Sequence, residues 1–89
     1  MEVIFAPKAL EHLNYGKKSG NKAVQNKIKQ LIIAIQENPF TGIGKPEALK
    51  YELSGAWSRR INEEHRIVYE IHDDSTIIIL EILSLKGHY

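Results

Sequence analysis

Cysteine is absent from all 89 residues, which rules out a disulfide framework and any thiolate-ligated metal centre. An excess of one charge is also missing. Lys and Arg number 12 against 11 Asp and Glu, a formal net charge of +1 at pH 7. The chain therefore cannot coat a polyanion by global charge, and any contact with nucleic acid must come from local clustering. Long apolar runs are lacking too: the longest, Leu31 to Ile35 and Ile77 to Leu80, fall far short of the roughly 20 residues that span a bilayer. The opening Met-Glu-Val-Ile-Phe-Ala has neither a basic region nor a sustained apolar core, so no secretory signal and a cytoplasmic location are expected. No internal repeat or low-complexity segment is visible. What remains is ordinary globular material, 43% hydrophobic and 26% charged, of a length that suits one domain, residues 1–89, with one core.

Local patterning gives the elements. Val3, Ile4 and Phe5 predict a strand at residues 2 to 5, and Pro7 suits the first turn of a helix, where its missing N–H does no harm. Ala9, Leu10 and Leu13 give that helix, about residues 7 to 18, a modest apolar stripe. Val24, Ile28, Leu31, Ile32 and Ile35 form one face of a second helix, with Asn21 as N-cap and Asn38-Pro39 as its stop. The two helices should form an antiparallel hairpin. Phe40 to Pro46 reads as loop. Tyr51 and Leu53 suggest a short strand ending at Ser54-Gly55, Trp57 to Ile61 another, and Asn62-Glu63-Glu64 a turn. Ile67, Tyr69 and Ile71 alternate with Arg66, Val68 and Glu70, the period of a half-buried strand. Thr76 to Leu83 is apolar almost throughout, as for an interior strand covered on both faces. The expectation is an α+β fold: an N-terminal strand, a helical hairpin on one sheet face, and three to four further antiparallel strands.

The residues suited to chemistry concentrate between Gly44 and Arg66. There one carboxylate, Glu47, sits among Lys50, Arg59, Arg60 and Arg66, and the chain ends in His88-Tyr89. Cutting an RNA backbone needs a base for the 2′-hydroxyl proton, an acid for the leaving 5′-oxygen, and cations for charge developing on the phosphate. Glu47 fits the base, His88 the acid, and Arg66, Arg60 and Lys50 the charge stabilisers; Tyr89 offers a ring for base stacking. Blander readings stand beside these. A Glu after Pro is ordinarily a solvated surface acid, and the Arg59-Arg60 pair could be a solvated strand edge. Only one of that pair can share a face with Arg66, and Arg60 is favoured. Trp57 reads as core or interface rather than an RNA-stacking ring, and Tyr69 as core. His12, His65 and His72 lack metal-ligand spacing, so neither metal nor other cofactor is expected.

Gly-Lys-Pro-Glu-Ala-Leu-Lys, Leu-Ser-Gly-Ala-Trp-Ser-Arg-Arg-Ile-Asn-Glu-Glu-His-Arg-Ile-Val-Tyr and the terminal His-Tyr resemble the Txe/YoeB family of bacterial toxins, within the RelE-like superfamily. The resemblance covers essentially the whole chain. It implies a RelE-like, microbial-RNase-like fold and a ribosome-dependent, metal-free endoribonuclease cutting messenger RNA in the A site. It also implies a cognate YefM/Phd-like antitoxin, operator DNA bound only through the toxin–antitoxin complex, and often a homodimer. By the family's pattern Glu47 is the general base, Arg66 stabilises the transition state, and His88 is the general acid, with Lys50, Arg60 and Tyr89 in support. Two departures stand out: Ala48 where a second proline is common, and Leu85-Lys86-Gly87 before the terminal pair. The alternative is a catalytically inactive corepressor, although such a protein would not need the Glu47, Arg66 and His88 set. A ribosome-independent RNase is disfavoured by the low net charge.

Overall fold

The computed structural model describes residues 2–19, 22–72 and 75–82. Strand β1 (Glu2–Phe5) leads into α1 (Pro7–Ser19) and α2 (Lys22–Glu37). The chain then forms β2 (Glu47–Ala48), a single 3-10 turn (Tyr51–Leu53), β3 (Trp57–Arg60), β4 (Arg66–His72) and β5 (Thr76–Glu81). The strands make one sheet in the order β1-β5-β4-β3-β2. Consecutive strands from β2 to β5 pair antiparallel, while β1 returns to pair parallel with β5, Val3 opposite Ile77. This is the expected α+β arrangement.

The core follows from matching two periods. Ile28, Leu31 and Ile35 of α2 recur at helical spacing and are buried. They meet Ile67 and Tyr69 of β4 and Ile77 and Ile79 of β5, residues that alternate onto one sheet face. Ala9 of α1, Ile61 and Ile82 complete the cluster. Each large aliphatic side chain so buried contributes about 1.5–3 kcal/mol. Both helices therefore load one face of the sheet and leave the other to a mixture of polar and apolar residues. At the end of α2, Asn38 Oδ1 accepts from the Phe40 and Thr41 N–H groups at 3.0 and 3.3 Å, an Asx turn that starts the loop toward β2.

Three strand readings need correction. Tyr51 and Leu53 do not form a strand. The strand lies earlier, at Glu47–Ala48, and pairs with β3 through Glu47 opposite Ser58 and Ala48 opposite Trp57. Residues 49–56 must therefore turn the chain, closed by Leu49 N–H to the Ala56 carbonyl at 2.9 Å. Tyr and Leu two apart carry a β signal, but the reversal demands positive φ at Tyr51 (60°) and Gly55 (97°). Second, β3 ends at Arg60, because the Ile61 N–H turns to the His65 carbonyl at 3.0 Å. Third, β5 is interior in the sheet but not covered on both faces. Ile77 and Ile79 are buried while Ile78 and Leu80 remain half-exposed, since both helices lie on the same side. Leu83, the expected end of that strand, falls outside the described residues.

The Arg59-Arg60 pair divides as strand alternation requires. Arg59 is completely buried, whereas Arg60 is exposed. Arg59 donates from Nε to the Tyr69 hydroxyl (3.1 Å), from Nη1 to the Ile43 carbonyl (3.3 Å), and from Nη2 to the Asn38 and Thr41 carbonyls (2.5 and 2.8 Å). Tyr69 in turn donates to the Pro39 carbonyl at 2.6 Å. Beside this network Trp57 is half-buried, its ring centroid 5.1 Å from that of Phe40. No described helix is long and apolar enough to cross a membrane.

Candidate active site

The face away from the helices collects the polar residues of three adjacent strands. With Ile67 and Tyr69 directed into the core, Arg66 and Val68 point the other way. Directly across the ladders, Arg60 is opposite Arg66 and Ser58 opposite Val68, while Glu47 is opposite Ser58. Opposed residues share a face, so Glu47, Ser58, Arg60 and Arg66 lie on one side of the sheet. Arg66 reaches across two strands to do so. Its Nη1 stands 3.4 Å from Glu47 Oε2 and 3.5 Å from the buried Ser58 hydroxyl.

A cleft of about 440 Å³ opens at this point, lined by Glu47, Lys50, Tyr51, Glu52 and Arg66 with Ala48, Leu49 and Leu53 as its apolar parts. The hairpin connection between β2 and β3 forms one wall and the Arg66 side chain the other. Two residues flanking Glu47 on the chain, Lys45 and Tyr51, have positive φ of 52° and 60°. Such values are uncommon for residues bearing a Cβ and tend to gather at functional sites.

The Glu47–Arg66 pair is loose. At 3.4 Å, with the Glu47 side chain 63% exposed and that of Arg66 26% exposed, it is worth about 0–1 kcal/mol. A phosphate, which offers a guanidinium stronger and bidentate contacts, would compete readily for Arg66 and release the carboxylate. The arrangement can thus hold an anion and present a proton acceptor beside it. Among the described residues no group of His, Asp and Glu is placed to hold a metal ion.

Four of the six residues singled out from sequence fall within the described structure. Glu47, Lys50 and Arg66 come together at the cleft. Arg60 lies beside Arg66 across the β3–β4 ladder but does not line the cleft. His88 and Tyr89 lie outside the described residues. Sequence reading did not single out Ser58 or Tyr51 for the site. Ser58 could have been found from its spacing, two residues before Arg60 on an alternating strand. Tyr51 could not, because its reading as a strand residue hid the turn that carries it to the cleft.

A family model described as YoeB-like toxin of bacterial type II toxin–antitoxin system matches residues 5–89. The chain is 45% identical over 78 residues to Toxin YoeB of Escherichia coli K12, covering 88% of this chain and 92% of that protein. Among solved structures, the YoeB dimer from Staphylococcus aureus superposes with a TM-score of 0.86 at 41% identity, over 100% of this chain and 98% of the other. The toxin in a heterotetrameric YoeB–YefM toxin–antitoxin complex from the same organism gives 0.85 at 40% identity, with the same coverage.

Proposed function

The chain belongs to the YoeB-like toxin family of bacterial type II toxin–antitoxin systems, and from that premise we propose that it is a ribosome-dependent endoribonuclease that cuts messenger RNA in the A site. The observation that carries the reading is the placement of Glu47 3.4 Å from Arg66 on the cleft they share with Lys50. A phosphodiester entering the cleft engages Arg66 and Lys50, and the freed Glu47 carboxylate takes the proton of the neighbouring 2′-hydroxyl. The 2′-oxygen attacks phosphorus, the bond to the 5′-oxygen breaks, and that oxygen leaves with a proton supplied by His88. The products are a 2′,3′-cyclic phosphate and a 5′-hydroxyl end. Arg66 meets the charge that grows on the phosphoryl oxygens, and Arg60 extends the positive surface along the backbone. His88 and Tyr89 take their roles, acid and stacking ring, from the family resemblance. No step calls for a metal ion, so cleavage should persist in chelator.

The low net charge supports dependence on the ribosome, because a chain with balanced charge has little non-specific pull on free RNA. The Staphylococcus aureus relatives, solved as a dimer and with YefM, support a YefM-like antitoxin as partner and a homodimeric state; operator DNA bound only through the antitoxin complex follows from the family resemblance alone. A ribosomal target places the protein in the cytoplasm.

The test is cleavage of messenger RNA on programmed ribosomes in chelator. Glu47→Ala, Arg66→Ala and His88→Ala should each cut about 10²–10⁴-fold more slowly than wild type. Variants that cut as fast as wild type would overturn the mechanism; equal cleavage of free RNA by wild type would overturn ribosome dependence. An intact protein that cleaves nothing but represses with an antitoxin would be the corepressor instead.

A further inference from the structure

Tyr51 occupies the cleft without a part in the chemistry above. The residue is 91% exposed, the most exposed of the large hydrophobics among the described residues, so burial does not explain its presence. Local backbone geometry does not explain it either. At φ 60° the position favours Gly or Asn, and a bulky residue there is strained. The turn is held by main-chain bonds alone: Leu53 N–H to the Lys50 carbonyl (3.2 Å), Ser54 N–H to that of Tyr51 (3.0 Å) and Ala56 N–H to that of Leu53 (2.9 Å). An aromatic ring thus stands in solvent, on strained backbone, at the wall of a cleft that also holds Glu47, Lys50 and Arg66.

We propose that Tyr51 is a stacking platform for an unpaired nucleobase adjoining the phosphate held by Arg66 and Lys50, an assignment that rests on the endoribonuclease reading. The chemistry of the neighbours selects this ligand. Cations at the cleft hold a phosphodiester at a fixed point, and attack by the 2′-oxygen in line with the leaving 5′-oxygen requires the nucleotide to leave helical stacking. A base so displaced loses its neighbours' π-faces, and a solvent-exposed tyrosine restores one without discriminating strongly among bases. The ring on its hydrogen-bonded short turn then fixes the ribose between base and phosphate, which aligns the 2′-hydroxyl with Glu47.

Cleavage on programmed ribosomes tests this with three substitutions and two altered messages. Tyr51→Ala and Tyr51→Gly should lower kcat/KM by roughly 5- to 150-fold, the loss of one base–aromatic stack, and Tyr51→Phe should stay near wild type. Thermal unfolding separates this from a structural role. Tyr51→Gly relieves the positive-φ strain, so its Tm should equal or exceed wild type while its activity falls. Messages carrying an abasic ribonucleotide on one or other side of the cut should close the cycle. On one of them wild type should slow to the rate of Tyr51→Ala, and the variant should slow no further. Tyr51→Ala as fast as wild type, Tyr51→Phe as slow as Tyr51→Ala, or additive losses on both abasic messages would overturn the assignment. If wild type itself cleaves nothing, the endoribonuclease reading falls and takes this one with it.

Discussion

Replacing Arg59 by Met should strongly destabilise the protein, while the same replacement at Arg60 should pass almost unnoticed. The two residues are chemically identical neighbours, so the contrast isolates position. Arg59 is fully buried and directs four hydrogen bonds to four residues. Its charge is met by three carbonyls and a hydroxyl, with Asn38, just past the end of α2, among the acceptors, where the helix dipole favours a cation. A hydrogen bond from a charged donor contributes about 1.5–3 kcal/mol, but the sum over four overstates the loss, because the Asn38, Thr41 and Ile43 carbonyls lie on a partly exposed loop and can rehydrate. A loss of about 3–5 kcal/mol is expected, as for other buried charged networks with one partner removed. At about 0.05–0.15 kcal/mol per residue, an 89-residue chain has roughly 4–13 kcal/mol in all, so Arg59→Met consumes upward of about a fifth of it. Urea unfolding followed by circular dichroism measures this directly, and Tm should drop by about 12–40 °C at 4–8 °C per kcal/mol. Arg60→Met should stay within about 0.5 kcal/mol of wild type. An Arg59→Met protein within about 1 kcal/mol of wild type would refute the view that this side chain fastens loop to sheet.

Two further outcomes follow from the same region. Burial raises the Tyr69 hydroxyl above its ordinary 10.0, opposed in part by the hydrogen bond and charge of Arg59. A raised folded value means the contribution is intact below about pH 10 and is lost as pH climbs through the folded value. Wild type should therefore exceed Tyr69→Phe by about 1.5–3 kcal/mol near neutrality, since the hydroxyl accepts from the charged Arg59, and the gap should narrow above pH 10 in urea titrations; a gap that widens there would contradict the assignment. At Gly44 (φ 84°) an added Cβ would stand 2.7 Å from Leu31 Cδ2 and 3.2 Å from the Arg60 carbonyl, whereas at Gly55 (φ 97°) it would meet nothing within 4 Å. Gly44→Ala should then lose about 1–3 kcal/mol to overpacking on top of backbone strain, and Gly55→Ala strain alone; equal losses in thermal denaturation would sink the distinction.

The parts legible in sequence were those where one period dominates. The α2 face of Ile28, Leu31 and Ile35 and the alternation of Ile67 and Tyr69 both state a buried side directly, and both hold in the fold. What escaped was set by partners distant in sequence. Tyr51 and Leu53 look like strand because their side chains favour it, yet the pairing of Glu47 with Ser58 leaves residues 49–56 no room to be anything but a reversal. Similarly, Ile78 and Leu80 are as apolar as Ile77 and Ile79, and only the placement of both helices on one side decides which pair is buried. For the site, Glu47 and Arg66 were visible as residue types and their meeting was not. It depends on β2, β3 and β4 lying side by side, with Arg66 spanning two ladders.

The split of Arg59 from Arg60 also ties the scaffold to the chemistry. Arg59 pins the loop carbonyls of residues 38, 41 and 43, and the Arg60 N–H binds the Gly44 carbonyl at 2.7 Å. Three residues later the same loop delivers Glu47 to its place opposite Ser58. The inward side chain and the outward residue's backbone together set where β2 begins, and hence where the carboxylate stands relative to Arg66. Because the Glu47–Arg66 contact is itself worth so little, it cannot hold the carboxylate in position. The loop must do so, and the tightness of the buried Arg59 network is the physical condition for a loose pair on the other face.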